Sequence, residues 1–387
     1  MIKLFTPLLL LTISSYTHAQ QAMIAPTEVT VAEENTTPTS SNQTTTSSSA
    51  TEELAKKAIT DLKQNTTFGG YIIGQAKFND QDGNDVHSDM NIRLVRVYAK
   101  GKVLDFAYSL QVQVNGANGS APYIVDAWTE WQKYDFARIK FGQFKRAFGF
   151  ENPMNPWDIG AGAYSQLSTK FAGFKDRVGE QSSNGRDFGL QVQGDVLPIG
   201  KDKHKFIHYQ IGVYNGQGIN HSDLNSHKDL IGGIFVSPVK PLQLAVFGWD
   251  GNYVKDGLTV SRSRLAFGAK YDGPILIRTE YARSHGRKIV STSNGSAIAG
   301  ADRADAWYLT CGIPVNNHLR LWGKYDVYRD TKEWNSAKNL YGFTAEYYFY
   351  KNLKIQANYT YTYDRLARSQ GKDGIYNTLD LQLYVRF

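Results

Sequence analysis

From Thr67 onward, apolar and polar residues alternate one by one in segments of about ten residues, a period of two that predicts β-strands and not helices. The last segment is the clearest. In residues 377–387, Leu379, Leu381, Leu383, Val385 and Phe387 share one face, while Asp380, Gln382, Tyr384 and Arg386 share the other. A sheet packed between helices has no use for Asp and Arg on one face. A strand with lipid outside and water inside does. The same split recurs in 352–363, where Leu353, Ile355, Ala357, Tyr359 and Tyr361 oppose Lys354, Gln356 and Asn358. It recurs again in 318–328, 275–282 and 104–114.

Sixteen such segments are expected, at 68–78, 91–100, 103–114, 122–133, 136–145, 185–195, 206–215, 230–237, 241–249, 264–272, 275–285, 304–314, 318–328, 339–349, 352–363 and 376–387. The second, with Arg93, Val95, Arg96 and Val97, breaks alternation and predicts a bulge. Tight turns at Lys102, 134–135, 237–240, 273–274, 315–317 and 350–351 alternate with longer polar loops at 79–90, 115–121, 146–184, 216–229, 250–263, 286–303, 329–338 and 364–375. Short turns on one side and long loops on the other fit a 16-stranded antiparallel transmembrane β-barrel in an outer membrane. Aromatics at strand ends, such as Tyr347, Tyr348, Phe349 and Tyr350, suit a girdle at the membrane interface. A secreted sandwich or solenoid would not explain them.

The segments before the barrel read differently. Residues 1–19 look like a signal peptide, with Lys3, an apolar run over 4–13 and Ala19 before the cut. Residues 20–50 are Ser/Thr-rich and predict a flexible linker. A short periplasmic helix is expected over 51–64, capped by Thr51, with lead-in to residue 67 and the barrel over 68–387.

Composition narrows the class. Mean hydropathy is −0.42, and no run of about 18 apolar residues occurs, so membrane-spanning helices are excluded. The lone Cys311 excludes an intramolecular disulfide. After Thr67 there are 39 basic and 30 acidic residues, a balance of about +9. No dense basic run or zinc spacing points to nucleic acid. No cofactor or metal site is expected. The acidic loop 79–90 lacks the spacing of a calcium-binding loop.

A barrel of about 16 strands leaves an aqueous lumen, so a channel is the expected function. The long loop 146–184 is placed to fold inward and narrow it. Candidate lumen cations are Lys145, Arg146, Arg186, Arg138, Lys140, Arg278, Arg320 and Lys324, with Lys170, Lys175, Arg177, Arg264, Lys270, Lys354 and Arg386 as further basic positions. Rings of Lys and Arg favour anions. The competing expectation is that these charges pair in ladders with Asp126, Glu130, Glu280, Asp326, Glu346 and Asp380.

The run FGQFKRAFGFENPMNPWD at 141–158, followed by SSNGRDFGLQVQG at 182–194, resembles the phosphate-selective porin O and P family. The resemblance rests on Gly142 to Lys145 and on Arg186, Asp187, Gly189 and Leu190. It implies a 16-stranded outer-membrane porin, usually a homotrimer, in which arginine and lysine guide small anions such as phosphate or polyphosphate to a narrow site. Lys145 and Arg186 are the residues it assigns, with Arg138 and Lys140 as strand neighbours. Where the family commonly has Pro, this chain has Arg146-Ala147. Two other functions are weighed against a porin. A plugged barrel binding macromolecules through its outer loops would not conduct. A barrel hydrolase would need a Ser, His and acid in register, and no such set is visible, so no enzyme is expected.

Overall fold

The computed structural model describes residues 45–80, 86–115, 121–293 and 295–387. The signal-peptide expectation, and the linker expectation for residues 20–44, fall outside them. The strands are β1 (Thr67–Asn79), β2 (His87–Val103), β3 (Phe106–Gln113), β4 (Tyr123–Tyr134), β5 (Ala137–Lys145), β6 (Arg186–Ile199), β7 (His204–Tyr214), β8 (Asp229–Val239), β9 (Leu242–Lys255), β10 (Leu258–Asp272), β11 (Leu276–His285), β12 (Lys288–Thr292), β13 (Gly295–Ala299), β14 (Arg303–Pro314), β15 (Leu319–Arg329), β16 (Ala337–Tyr350), β17 (Leu353–Asp364) and β18 (Ile375–Arg386). The helices are α1 (Thr45–Asn65), α2 (Gln166–Phe171) and α3 (Arg365–Ser369).

Sixteen of these strands close into one antiparallel barrel, and β12 and β13 form a separate hairpin. Closure comes from β1, which pairs with both β2 and β18, setting Tyr71 opposite Arg386. A closed sheet satisfies every strand's backbone groups without water, which a membrane demands. The side chains invert the usual arrangement of a soluble protein. Phe267, Phe343 and Leu383 are 52%, 52% and 47% exposed on the outer wall, while Lys354, Glu346 and Gln382 are 0–1% exposed within. The alternation read from the sequence thus sorts lipid side from lumen side on β17 and β18.

Four local expectations are corrected. The helix expected at 51–64 runs Thr45–Asn65, so Thr51 lies inside it and residues 45–50 belong to it instead of the linker. The turn expected at Lys102 falls at Leu104-Asp105, where the Leu104 amide donates to Asp61 Oδ2 at 3.0 Å. Residues 250–263 are not a loop. Here β9 and β10 continue outward to a two-residue turn, in which Asp256 and Gly257 both have positive φ (51° and 76°). Asp-Gly is the sequence such a turn prefers. Loop 286–303 holds the β12–β13 hairpin. The bulge expected in the second strand is present: the β1–β2 register passes from Leu94 to Ile92 and leaves Arg93 over.

Candidate functional site

The segment between β5 and β6 enters the barrel and lines one side of it. Phe148 and Phe150 pack on Phe235, Phe247 and Trp249 of β8 and β9. Farther along, Asn155 caps a single turn that presents Trp157 to Tyr384 of β18, ring centroids 5.7 Å apart. Ser165 then caps α2, and the Gln166 amide donates to Asp326 of β15 at 2.9 Å. Phe171 meets Tyr328. Val178 finally joins Tyr253, Val260 and Ile289 in a small cluster that ties the loop to the long β9–β10 hairpin and to β12.

Buried ion pairs fix this path. Arg264 grips Asp176 through two nitrogens, at 2.6 and 2.8 Å. Arg278 donates to Glu151 at 3.1 Å and to the Ile159 carbonyl at 3.1 Å. Arg262 joins Glu180 to Asp229, and Arg146 joins Glu180 to Asp187. Lys354 donates to the Trp157 carbonyl at 2.6 Å and pairs with Glu346. Burial opposes charge on Glu151, yet Arg278 and Lys324 outweigh it and hold the carboxyl below its ordinary value.

Open space remains along the other wall, β2 to β7. Two cavities of about 480 and 470 Å³ lie there. The outer one reaches Tyr123, Asn184 and His221; the inner one reaches Lys100, Ser109, Lys140 and Gln210. Both are bounded by Arg96, Lys145, Pro156 and Arg186, so three cations mark the place where the cavities share a boundary. Arg186 makes a bidentate pair with Asp126 at 2.8 and 2.9 Å. Arg96 donates to Gln113 at 3.1 and 3.2 Å and to the Tyr71 hydroxyl at 3.2 Å, both neutral partners. The Lys145 ammonium lies over the rings of Phe174 and Tyr164, at 4.8 and 5.4 Å, with no carboxylate partner among the described residues.

The motif glycines support this geometry. Gly142 has φ of 125°, and a Cβ there would sit 2.2 Å from the Ala127 carbonyl oxygen. A Cβ on Gly189 would meet the Val213 carbonyl oxygen at 2.5 Å and the Tyr214 ring at 2.6 Å. Both keep neighbouring strands close at the roots of the inward loop.

The eight candidate cations therefore separate. Lys145 and Arg186 stand at the constriction. Lys140 lies below it, 3.3 Å from Glu130 and stacked on Trp128, and Arg138 pairs with Asp195 at 2.6 Å. Arg146 and Arg278, expected to face solute, are instead buried anchors whose charges are matched by carboxylates. Lys324 likewise donates to the Ala163 carbonyl at 2.8 Å beside Asp326. Arg320 faces a separate cavity of about 160 Å³ on the far wall. The expected ladders hold for Asp126, Glu130, Asp326 and Glu346. Glu280 and Asp380 instead accept from neutral groups, including Tyr308 and Gln75. Arg96 is absent from the sequence-derived set, as is its neighbour Arg93, which donates to Gln382 at 2.5 Å. In loop 79–90, Asp80 accepts from Asn377, while Asp82, Asn84 and Asp85 lie outside the described residues.

Comparison with known proteins bears on this arrangement. The sequence model of the family "Phosphate-selective porin O and P" matches residues 67–195. No curated protein matches the sequence. Among solved structures, an anion-selective porin from Comamonas acidovorans superposes with a TM-score of 0.61 at 14% identity, over 83% of this chain and 99% of that one. OmpF of Salmonella typhi, solved with daunomycin, gives 0.60 at 14% identity over 84% and 98%. A trimer form of OmpT from Vibrio cholerae gives 0.53 at 14% over 83% and 99%. Residues 67–195 match that family's sequence model, and the whole barrel shares its fold with outer-membrane porins: the chain is a 16-stranded β-barrel of the outer membrane.

Proposed function

We propose that the protein is a diffusion channel for small anions, inorganic phosphate and short polyphosphates among them, with selection at Arg96, Lys145 and Arg186. The observation that carries this reading is Lys145, an ammonium group on the boundary between two lumen cavities with aromatic faces beside it and no ion-pair partner among the described residues. With Arg96 held by neutral groups and Asp126 the one opposing acid among the described residues, the constriction has a surplus of positive charge. Such a ring attracts anions and repels cations. The printed description of the Comamonas porin as anion-selective, and the family's description, are consistent with it. A homotrimer is the proposed assembly, in line with the trimer form of the Vibrio protein.

The test is single-channel recording of the refolded protein in a planar bilayer under a KCl gradient. A reversal potential on the chloride side, with block by added phosphate, is the expected result. Chloride preference without block would reduce the reading to a general anion porin. A folded barrel with no conductance would overturn it in favour of a plugged surface-binding protein.

A further inference from the structure

The outer wall bears a hollow that the pore does not use. Alternation along β15, β16 and β17 turns Tyr325, Tyr341, Tyr361 and Tyr363 toward lipid near the outer ends of those strands. Tyr325 and Tyr341 stack with centroids 4.9 Å apart, and Tyr361 continues the row 6.1 Å beyond. Trp334, 49% exposed, comes from the loop between β15 and β16. With Arg365 these rings line a space of about 530 Å³.

The charges here are unusual for a lipid-facing wall. Arg365 and Arg368 project from α3, both exposed. Arg365 lies 5.5 Å from the Tyr363 ring and 5.9 Å from Trp334, and Arg368 lies 5.6 Å from Tyr363. Neither makes an ion pair among the described residues, whereas nearby Arg329 is held by Asp305 at 2.6 and 2.8 Å. Two uncompensated guanidinium groups therefore sit at the water-facing edge of an aromatic recess open to the bilayer. A planar guanidinium binds phosphate through paired hydrogen bonds. Ring faces at this depth accept the sugar or acyl root beneath such a phosphate. A dissolved anion bound for the pore approaches through the lumen, on the other side of the wall.

We infer that this recess is a binding site for a phosphorylated glycolipid of the outer leaflet, with its phosphate held by Arg365 and Arg368 and its sugar or acyl root on the tyrosine row. A second copy of the chain is the less suitable occupant, because it would bury two unpaired charges.

Native mass spectrometry of the full chain in mild detergent, with bisphosphorylated lipid A as probe, tests the assignment. Bound lipid is expected on the wild type, with roughly tenfold weaker binding after removal of the lipid's phosphates or in Arg365→Glu/Arg368→Glu, the scale of losing one or more charge-assisted bonds. Millimolar inorganic phosphate should leave the bound lipid in place. Equal binding of the dephosphorylated lipid, unchanged binding by the double variant, or displacement by free phosphate would overturn the proposal. So would loss of the oligomer in the lipid-free double variant, which would make the recess an interface between copies. Unaltered single-channel conductance serves as the folding control and keeps this test separate from anion selectivity. Should the double variant fail to fold, Arg365→Lys/Arg368→Lys keeps the charge but not the paired geometry, and undiminished binding there would also refute the site.

Discussion

Lys145 ends β5 opposite Arg186, the first residue of β6, and the two cations reach the same constriction. At about 4 Å in water, one charge pair is worth about 1 kcal/mol, so reversing a lysine to glutamate shifts an anion there by about 2 kcal/mol before salt screening. Lys145→Glu should therefore lower the chloride-to-potassium permeability ratio by roughly tenfold, read from the reversal potential. Arg146→Gln, one residue away, should act on the loop instead, because it leaves the buried Glu180 and Asp187 short of a partner and should raise open-channel noise. Gly142 offers a stability test. Gly142→Ala pushes a Cβ into the Ala127 carbonyl at a left-handed φ and should cost about 1–3 kcal/mol, visible as a lower urea midpoint for the barrel.

At this scale the sequence is only partly legible. Counting in twos from lipid-facing Phe141 sends Lys145 to the lipid side, so alternation alone would miss it. Its place at the root of loop 146–184 and the G-Q-F-K block single it out. Arg96 was hidden by the bulge at Arg93, which lets Arg93, Leu94 and Arg96 all border the lumen and blurs the period that identifies a lumen face. Arg278 has the expected lumen-facing parity, and its guanidinium is committed to Glu151 and the Ile159 carbonyl. Parity tells which side a residue faces and says nothing about a loop that later covers it.

Among the elements, the inward loop departs furthest from a simple barrel. Its backbone runs through the lumen held by carboxylate–guanidinium pairs from β10 and β11. Removing one member of a buried pair costs about 3–5 kcal/mol, since the other is left uncompensated. Arg264→Ala, which strands Asp176, should thus loosen the loop and raise both conductance and open-channel noise, with the barrel's strand content unchanged by circular dichroism. Acid should act similarly. The Glu151 carboxyl titrates below its ordinary value of 4.5 in the folded loop. Its contribution is present above that value and is lost as pH falls through the lower folded one. A step of increased channel noise is expected on acidification below about pH 4.5, and it should be absent from Glu151→Gln. The Asp256-Gly257 turn was legible in principle, since the dipeptide is a hairpin signal. The polar residues around it read as a loop because β9 and β10 extend beyond the membrane, where one face meets water and the other packs on the inward loop and β12.

For the whole molecule, strand number, order and closure followed from a period of two and from alternating connection lengths, because a membrane barrel has little freedom to be anything else. What remained hidden was the interior, where contacts join residues more than a hundred positions apart, such as Glu151 with Arg278. Selectivity should also respond as a field and not only as a contact. The screening length falls from about 10 Å at 0.1 M salt to about 3 Å at 1 M. The anion preference should therefore weaken steadily over that range of KCl. A preference independent of salt would point to size as the filter.

The constriction is off-centre. The two cavities that meet at it touch β2 to β7, while the inward loop is braced against β8 to β11 and β14 to β18. Under the proposed function, labour is divided along the chain accordingly: the first half is the customs post and the second half braces the loop. The stretch of detectable kinship, residues 67–195, coincides with the post. A lineage of such proteins that selects as proposed would alter what it admits by exchanging a few side chains in that first half, while the part of the second half that meets the loop answers to the need to keep it in place.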